Sequence, residues 1–130
     1  VLKYQIRASI VFYQKQQHID FLEWLKEKLR YGYIRKRNDG MAEYTIVGVK
    51  EVIALVSLLR PYLRLKVKQA ELALDVLSKM PGSGRKMNAE ILLNLAQKVD
   101  LFADLNYSKK RTNTSKKLKE YLMSQNLLIP

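Results

Sequence analysis

No cysteine occurs among the 130 residues, which excludes a disulfide scaffold, thiolate zinc sites and thiol catalysis. A single histidine, His18, excludes any site built from several imidazoles. No apolar run approaches the roughly 18 residues that cross a bilayer, and no secretory or transit segment is visible. Acidic residues are the other scarcity: 12 Asp+Glu stand against 24 Lys+Arg, for a net charge of +12. The length allows one domain. Apolar residues make up 48% of the chain, enough for a packed core, so the charge is not a sign of disorder. The chain opens on Val1 rather than Met, which points to a piece of a longer protein.

The cations are clustered. Residues 105–119 hold Lys109, Lys110, Arg111, Lys116, Lys117 and Lys119 and no acid. Residues 31–37 add Arg35, Lys36 and Arg37, and residues 60–68 add Arg60, Arg64, Lys66 and Lys68, again with no acid. Three separated basic clusters on a folded domain point to a polyanion, most simply nucleic acid. A solvated basic surface is the plainer alternative. The clusters do not share one amphipathic helix, which argues against a membrane surface.

Residues 2–13 alternate, which predicts a long half-buried strand. Leu2, Tyr4, Ile6, Ala8, Ile10 and Phe12 take one face; Lys3, Gln5, Arg7, Ser9, Val11 and Tyr13 take the other. Asp20 and Glu23 form a box for a helix start, Ile19, Leu22, Leu25 and Leu29 supply its apolar stripe, and Gly32 ends it. Strands over 33–37 and 41–47 flank Asn38-Asp39-Gly40, whose residues tolerate the positive φ of a hairpin turn. In the returning strand Tyr44 and Ile46 point to the core, Glu43 and Thr45 away from it. Helices follow over 49–59, 65–80, from Asn88 through Phe102, and near 115–123, with a polar loop over 81–87 and a basic one over 106–111.

The fold class is therefore α+β, a twisted antiparallel sheet with helices packed on one face. The other face presents Lys3, Gln5, Arg7, Tyr33, Arg35, Arg37, Glu43 and Thr45. Such a ribbon can enter the DNA major groove. Arg bonds guanine O6 and N7 in pairs, Gln pairs with adenine, Glu accepts from cytosine N4 and Thr meets a thymine methyl. The alternative is an ordinary solvated sheet face.

Three stretches carry a family resemblance: Gly32-Tyr33-Ile34-Arg35-Lys36-Arg37, residues 61–70 from Pro61 to Ala70, and Leu105-Asn106-Tyr107-Ser108-Lys109. In order and spacing the chain resembles the LAGLIDADG homing endonucleases, specifically the small homodimeric type of organelle introns. The resemblance implies an αββαββα fold with further C-terminal helices, a four-stranded saddle on DNA, and a homodimer that cuts both strands of a long near-palindromic site across the minor groove. It also implies Mg2+ or Mn2+ as cofactor, double-stranded DNA as partner, no membrane, and an organelle, foremost the chloroplast, as location. By position, Gln14 matches a polar residue that places water, Lys66 matches the active-site lysine, and His18 stands where relatives have arginine. The base-contacting set is Lys3, Gln5, Arg7, Ser9, Val11, Tyr13, Tyr33, Arg35, Arg37, Glu43 and Thr45. Lys15, Lys68, Asn106, Ser108, Lys109 and Arg111 fall to the phosphate backbone, where they supply affinity and register rather than sequence reading.

The sequence departs from the family in one respect. The motif helix and the strand after it are absent, and with them the acid that binds the metal. Asp20 and Glu23 already serve a helix start. Asp100 and Asp104 share a helix face remote from the sheet. A preceding helix and strand of about 25–35 residues is expected, and residues 1–130 alone are expected not to cut DNA. A noncatalytic DNA binder or an RNA maturase on the same scaffold is the competing function, and a basic protein with no sequence reading is a third.

Overall fold

Asn38-Asp39-Gly40 turns the chain as its residue types dictate. In the computed structural model, which describes residues 2–82, 86–106 and 112–128, Gly40 takes φ +84. Asp39 Oδ1 accepts from Met41 N at 3.1 Å, and Arg37 N donates to Met41 O at 2.8 Å. The turn pairs β2 (Tyr33–Lys36) with β3 (Met41–Val47) in antiparallel register. β1 (Ser9–Lys15) pairs with the other edge of β3, giving a three-stranded sheet of order β1-β3-β2.

The chain forms two compact units, Arg7–Leu58 and Val1–Ile6 with Leu59–Pro130. In the first, α1 (Ile19–Leu29) packs on all three strands. Leu22 from α1 and Ala42, Tyr44 and Ile46 from β3 are fully buried, each large apolar side chain contributing about 1.5–3 kcal/mol. Phe12 stacks on Tyr44 at 5.9 Å between ring centroids. Burial pushes the Tyr44 phenol up from its ordinary value, and its hydroxyl donates to the Tyr31 carbonyl. α2 (Val49–Leu59) adds Val52 and Leu55 to the buried set.

Several boundaries differ from the sequence expectation. The strand over 2–13 reduces to Ser9–Lys15, because its partner β3 ends at Val47 and Gly48 turns into α2, donating its N–H to Ala8 O at 3.1 Å. α1 begins at Ile19, and His18 precedes it without a side-chain cap bond, so Asp20 sits in the first turn and Asp20–Glu23 is no capping box. It ends at Leu29: Arg30 is left-handed at φ +67 and donates its N–H to Lys26 O at 2.7 Å. Gly32 acts two residues later, at φ +85, where a Cβ would overlap the Thr45 carbonyl oxygen.

The second unit is helical: α3 (Val67–Ser78), α4 (Ala89–Asp100), α5 (Phe102–Leu105) and α6 (Ser115–Ser124). α3 is shorter than the expected 65–80. Asn88 caps α4 as expected, accepting from Ile91 N at 2.8 Å. The expected continuation to Phe102 breaks at Leu101 into α5. Ala89, Leu92, Leu118 and Leu122 form the α4–α6 core, and Leu2, Tyr4 and Ile6 pack against it. Period-two burial thus persists before β1, but helices meet it rather than a neighbouring strand. Asp75 joins α3 to α4, bonding Lys79 at 2.8 Å and Lys98 at 2.7 Å. The Lys79 hydrogen bond, then that of Lys98, holds its carboxyl below the usual value. Asp100 accepts from Ser115 N at 3.2 Å and from its hydroxyl, fixing the start of α6.

Candidate nucleic-acid interface

Antiparallel register sorts the sheet side chains by face. One set, Ile10, Phe12, Gln14, Ile34, Ala42, Tyr44 and Ile46, lies toward α1. The opposite face is built in rows across the strands: Ser9 beside Val47, Val11–Thr45–Tyr33, Tyr13–Glu43–Arg35, and Lys15 beside Met41. Tyr13 and Tyr33 are more than half exposed there.

Charge on this face is organised around Glu43. Arg35 Nη2 donates to Glu43 Oε2 and Arg37 Nη1 to Glu43 Oε1, each at 3.2 Å. Arg37 Nη2 also meets Asp39 Oδ2 at 2.9 Å. The glutamate side chain is 14% exposed and the Arg35 side chain 64%. An inner acid thus orients two guanidiniums, one on a largely exposed side chain and one on a side chain 39% exposed. Guanidiniums flanked by tyrosines can bond base edges or phosphates.

The expected site residues divide. Ser9, Val11, Tyr13, Tyr33, Arg35 and Glu43 are on this face, and Arg37 follows β2 into the turn. Arg7 is exposed just before β1. Thr45 shares the face but is buried, because the central strand places it between Val11 and Tyr33. Lys3 and Gln5 are not on the sheet. Lys3 is left-handed at φ +64, and its ammonium lies 5.1 Å from the Tyr121 ring centroid on α6, a cation–π distance. Gln5 lines a small cavity with Leu92, Ala96 and Asn113.

Gln14 sits one residue before the end of β1, opposite Ala42. His18 closes the 3₁₀ turn Gln16–His18, with its Nε2 3.2 Å from Gln17 Nε2. Lys66 belongs to the other unit, exposed immediately before α3, and its carbonyl accepts from Ala70 N at 2.9 Å. Lys68 is exposed in the first turn of α3. Asn106 follows α5, where Gln69 Nε2 donates to the Leu105 carbonyl at 2.6 Å. Ser108, Lys109 and Arg111 lie outside the described residues. Among the described residues no three His, Asp or Glu side chains gather as a metal ion requires. Sequence reasoning missed Gln16, whose amide bonds the hairpin, and Asp39 as the partner of Arg37. The Asn-Asp-Gly turn was a signal for the second; nothing local announced the first.

No protein-family model matches the chain. It is 36% identical over 125 residues to the DNA endonuclease I-CvuI of Chlorella vulgaris, covering 94% of this chain and 74% of that protein. It is 32% identical over 122 residues to the DNA endonuclease I-CreI of Chlamydomonas reinhardtii, covering 94% and 73%. A crystal structure of the homing endonuclease I-CvuI with its target Sro1.3, in 2 mM Ca, matches at a TM-score of 0.88 and 33% identity, over 98% of this chain and 80% of that one. The fold and these two relatives, each matched over about three quarters of its length, show that the chain belongs to the LAGLIDADG homing endonuclease family.

Proposed function

We propose that this protein is a site-specific DNA endonuclease of the intron-homing kind, whose sheet face lies in the major groove of a long pseudopalindromic site. The observation that carries this reading is the Tyr13–Glu43–Arg35 row beside Tyr33 on the face turned away from α1, with Arg37 bonded to the same Glu43 from the turn. Lys15, Lys68 and Asn106, with Ser108, Lys109 and Arg111 of the basic loop, take phosphates and supply salt-dependent affinity. Ser9, Val11 and Arg7 extend the reading surface along β1. Homodimerisation matches the near-palindrome, since a twofold protein reads a twofold site. An algal organelle, the chloroplast foremost, is the proposed location, in keeping with the green-algal relatives.

Lys66 is the residue proposed to act at the scissile phosphate. Its point cation offsets charge developing on the phosphoryl oxygens and holds ordered solvent. Gln14 is proposed to orient water, and His18 to bond a water or a phosphate oxygen. Mg2+ or Mn2+ is the proposed cofactor. The described residues do not by themselves fit such an ion, which needs converging carboxylate oxygens, so no step is assigned to it.

Plasmid cleavage tests the reading: the full-length protein is mixed with DNA spanning its own intron insertion point, in Mg2+ and in Ca2+. Double-strand cutting in Mg2+ supports it. Specific retention of that DNA without cutting in either ion would identify a noncatalytic binder instead.

A further inference from the structure

Directly after β1, the half-buried Gln16 uses both protons of its amide on the hairpin. Nε2 donates to the Arg37 carbonyl at 2.6 Å and to the Met41 carbonyl at 3.1 Å. Its backbone N–H donates to Gly40 O at 2.9 Å. β1 and β2 are not neighbours, since β3 lies between them. Gln16 therefore reaches past the start of β3 to the chain leaving β2. Arg37 is held from two sides: its carbonyl by Gln16, its guanidinium by Glu43 at 3.2 Å and Asp39 at 2.9 Å.

We infer that Gln16 is a positioning residue for base recognition, one that sets where Arg37 presents its guanidinium. The inference rests on the proposed reading of the sheet face as a DNA surface. A guanine is read through two N–H donors aimed at O6 and N7 together. A drift of the hairpin tip breaks that pair of bonds while leaving phosphate contacts, which dominate affinity, in place. Loss of the Gln16 amide thus acts on preference at one base pair more than on overall binding.

The test uses the full-length protein, with Gln16→Met, which keeps length without donors, Gln16→Glu, which keeps shape without donors, Arg37→Ala, and the Gln16→Met/Arg37→Ala double variant. Each is presented with a randomised duplex library, and retained sequences are counted. Arg37→Ala is expected to erase preference at one position. Both Gln16 variants are expected to weaken preference there by roughly three- to tenfold, part of the value of one bidentate contact, and to leave other positions unchanged. In the double variant the Gln16 change should add nothing at that position. Equal flattening at every position, retained preference in either Gln16 variant, or the same added loss without Arg37 would overturn the assignment. If wild-type protein shows no preference anywhere, the DNA-reading face itself falls and the assignment with it. If only the Gln16 variants behave as wild type, the face stands and Gln16 has no such role.

Discussion

Arg35 and Glu43 face each other across the β2–β3 pair, with Nη2 3.2 Å from Oε2. With its arginine largely in solvent, an ion pair of this kind adds little to stability. Its consequence is orientation: Glu43, which also holds Arg37 at 3.2 Å, fixes two guanidiniums on one face before any duplex arrives. On the proposed function, DNA binding is expected to exchange some of these bonds for bonds to base edges, leaving the inner carboxylate as an acceptor beneath them.

Arg35→Ala is expected to relax base preference at a single position by about 1–3 kcal/mol, the value of one bidentate contact. Competition binding against single-base variants of the preferred duplex measures it. Equal weakening on all sequences would make Arg35 a phosphate contact.

Lys66→Met should slow strand cutting far more than it weakens binding, since a cation beside the scissile phosphate acts most where charge develops. Single-turnover cleavage set beside gel-shift affinity separates the two effects. Equal losses in rate and affinity would remove Lys66 from the chemistry.

The turn chemistry made the hairpin legible, because Asn38-Asp39-Gly40 acts within its own few residues. The Asn88 cap was legible for the same reason. Alternation over residues 2–13 gave the correct burial rhythm but not its cause. Leu2, Tyr4 and Ile6 meet α4 and α6, a helical partner that no local pattern specifies, and so Lys3 and Gln5 leave the sheet. Thr45 reads as outward by periodicity; its burial depends on β3 being the central strand. Gln16 carried no signal, for a glutamine between a strand and a helix is ordinarily just solvated.

Gly32→Ala tests the entry to β2. At φ +85 an added methyl is strained, and it would overlap the Thr45 carbonyl oxygen. A loss of about 2 kcal/mol or more is expected in urea unfolding, and an unchanged midpoint would contradict the observed geometry.

Asp75 gives a pH dependence of defined sign. Its carboxyl is held below the ordinary 3.8, first by Lys79 and then by Lys98. A carboxyl lowered by folding contributes stability that is present above its unfolded value and lost as pH falls through the folded one. Asp75→Asn should therefore lower the thermal midpoint near neutrality, with the difference narrowing as pH falls through 3.8 and below. A constant difference down the acid limb would show that the ion pairs are not its source.

The most direct test is where a duplex touches the sheet. A photo-crosslinking amino acid is placed at Tyr33, on the face bearing Arg35, or at Trp24, exposed on α1. Each protein is irradiated with target duplex, and adducts are mapped by primer extension. Adducts to bases from Tyr33 and none from Trp24 are expected; adducts from Trp24 with none from Tyr33 would place the DNA on the wrong side of the sheet and contradict the interface.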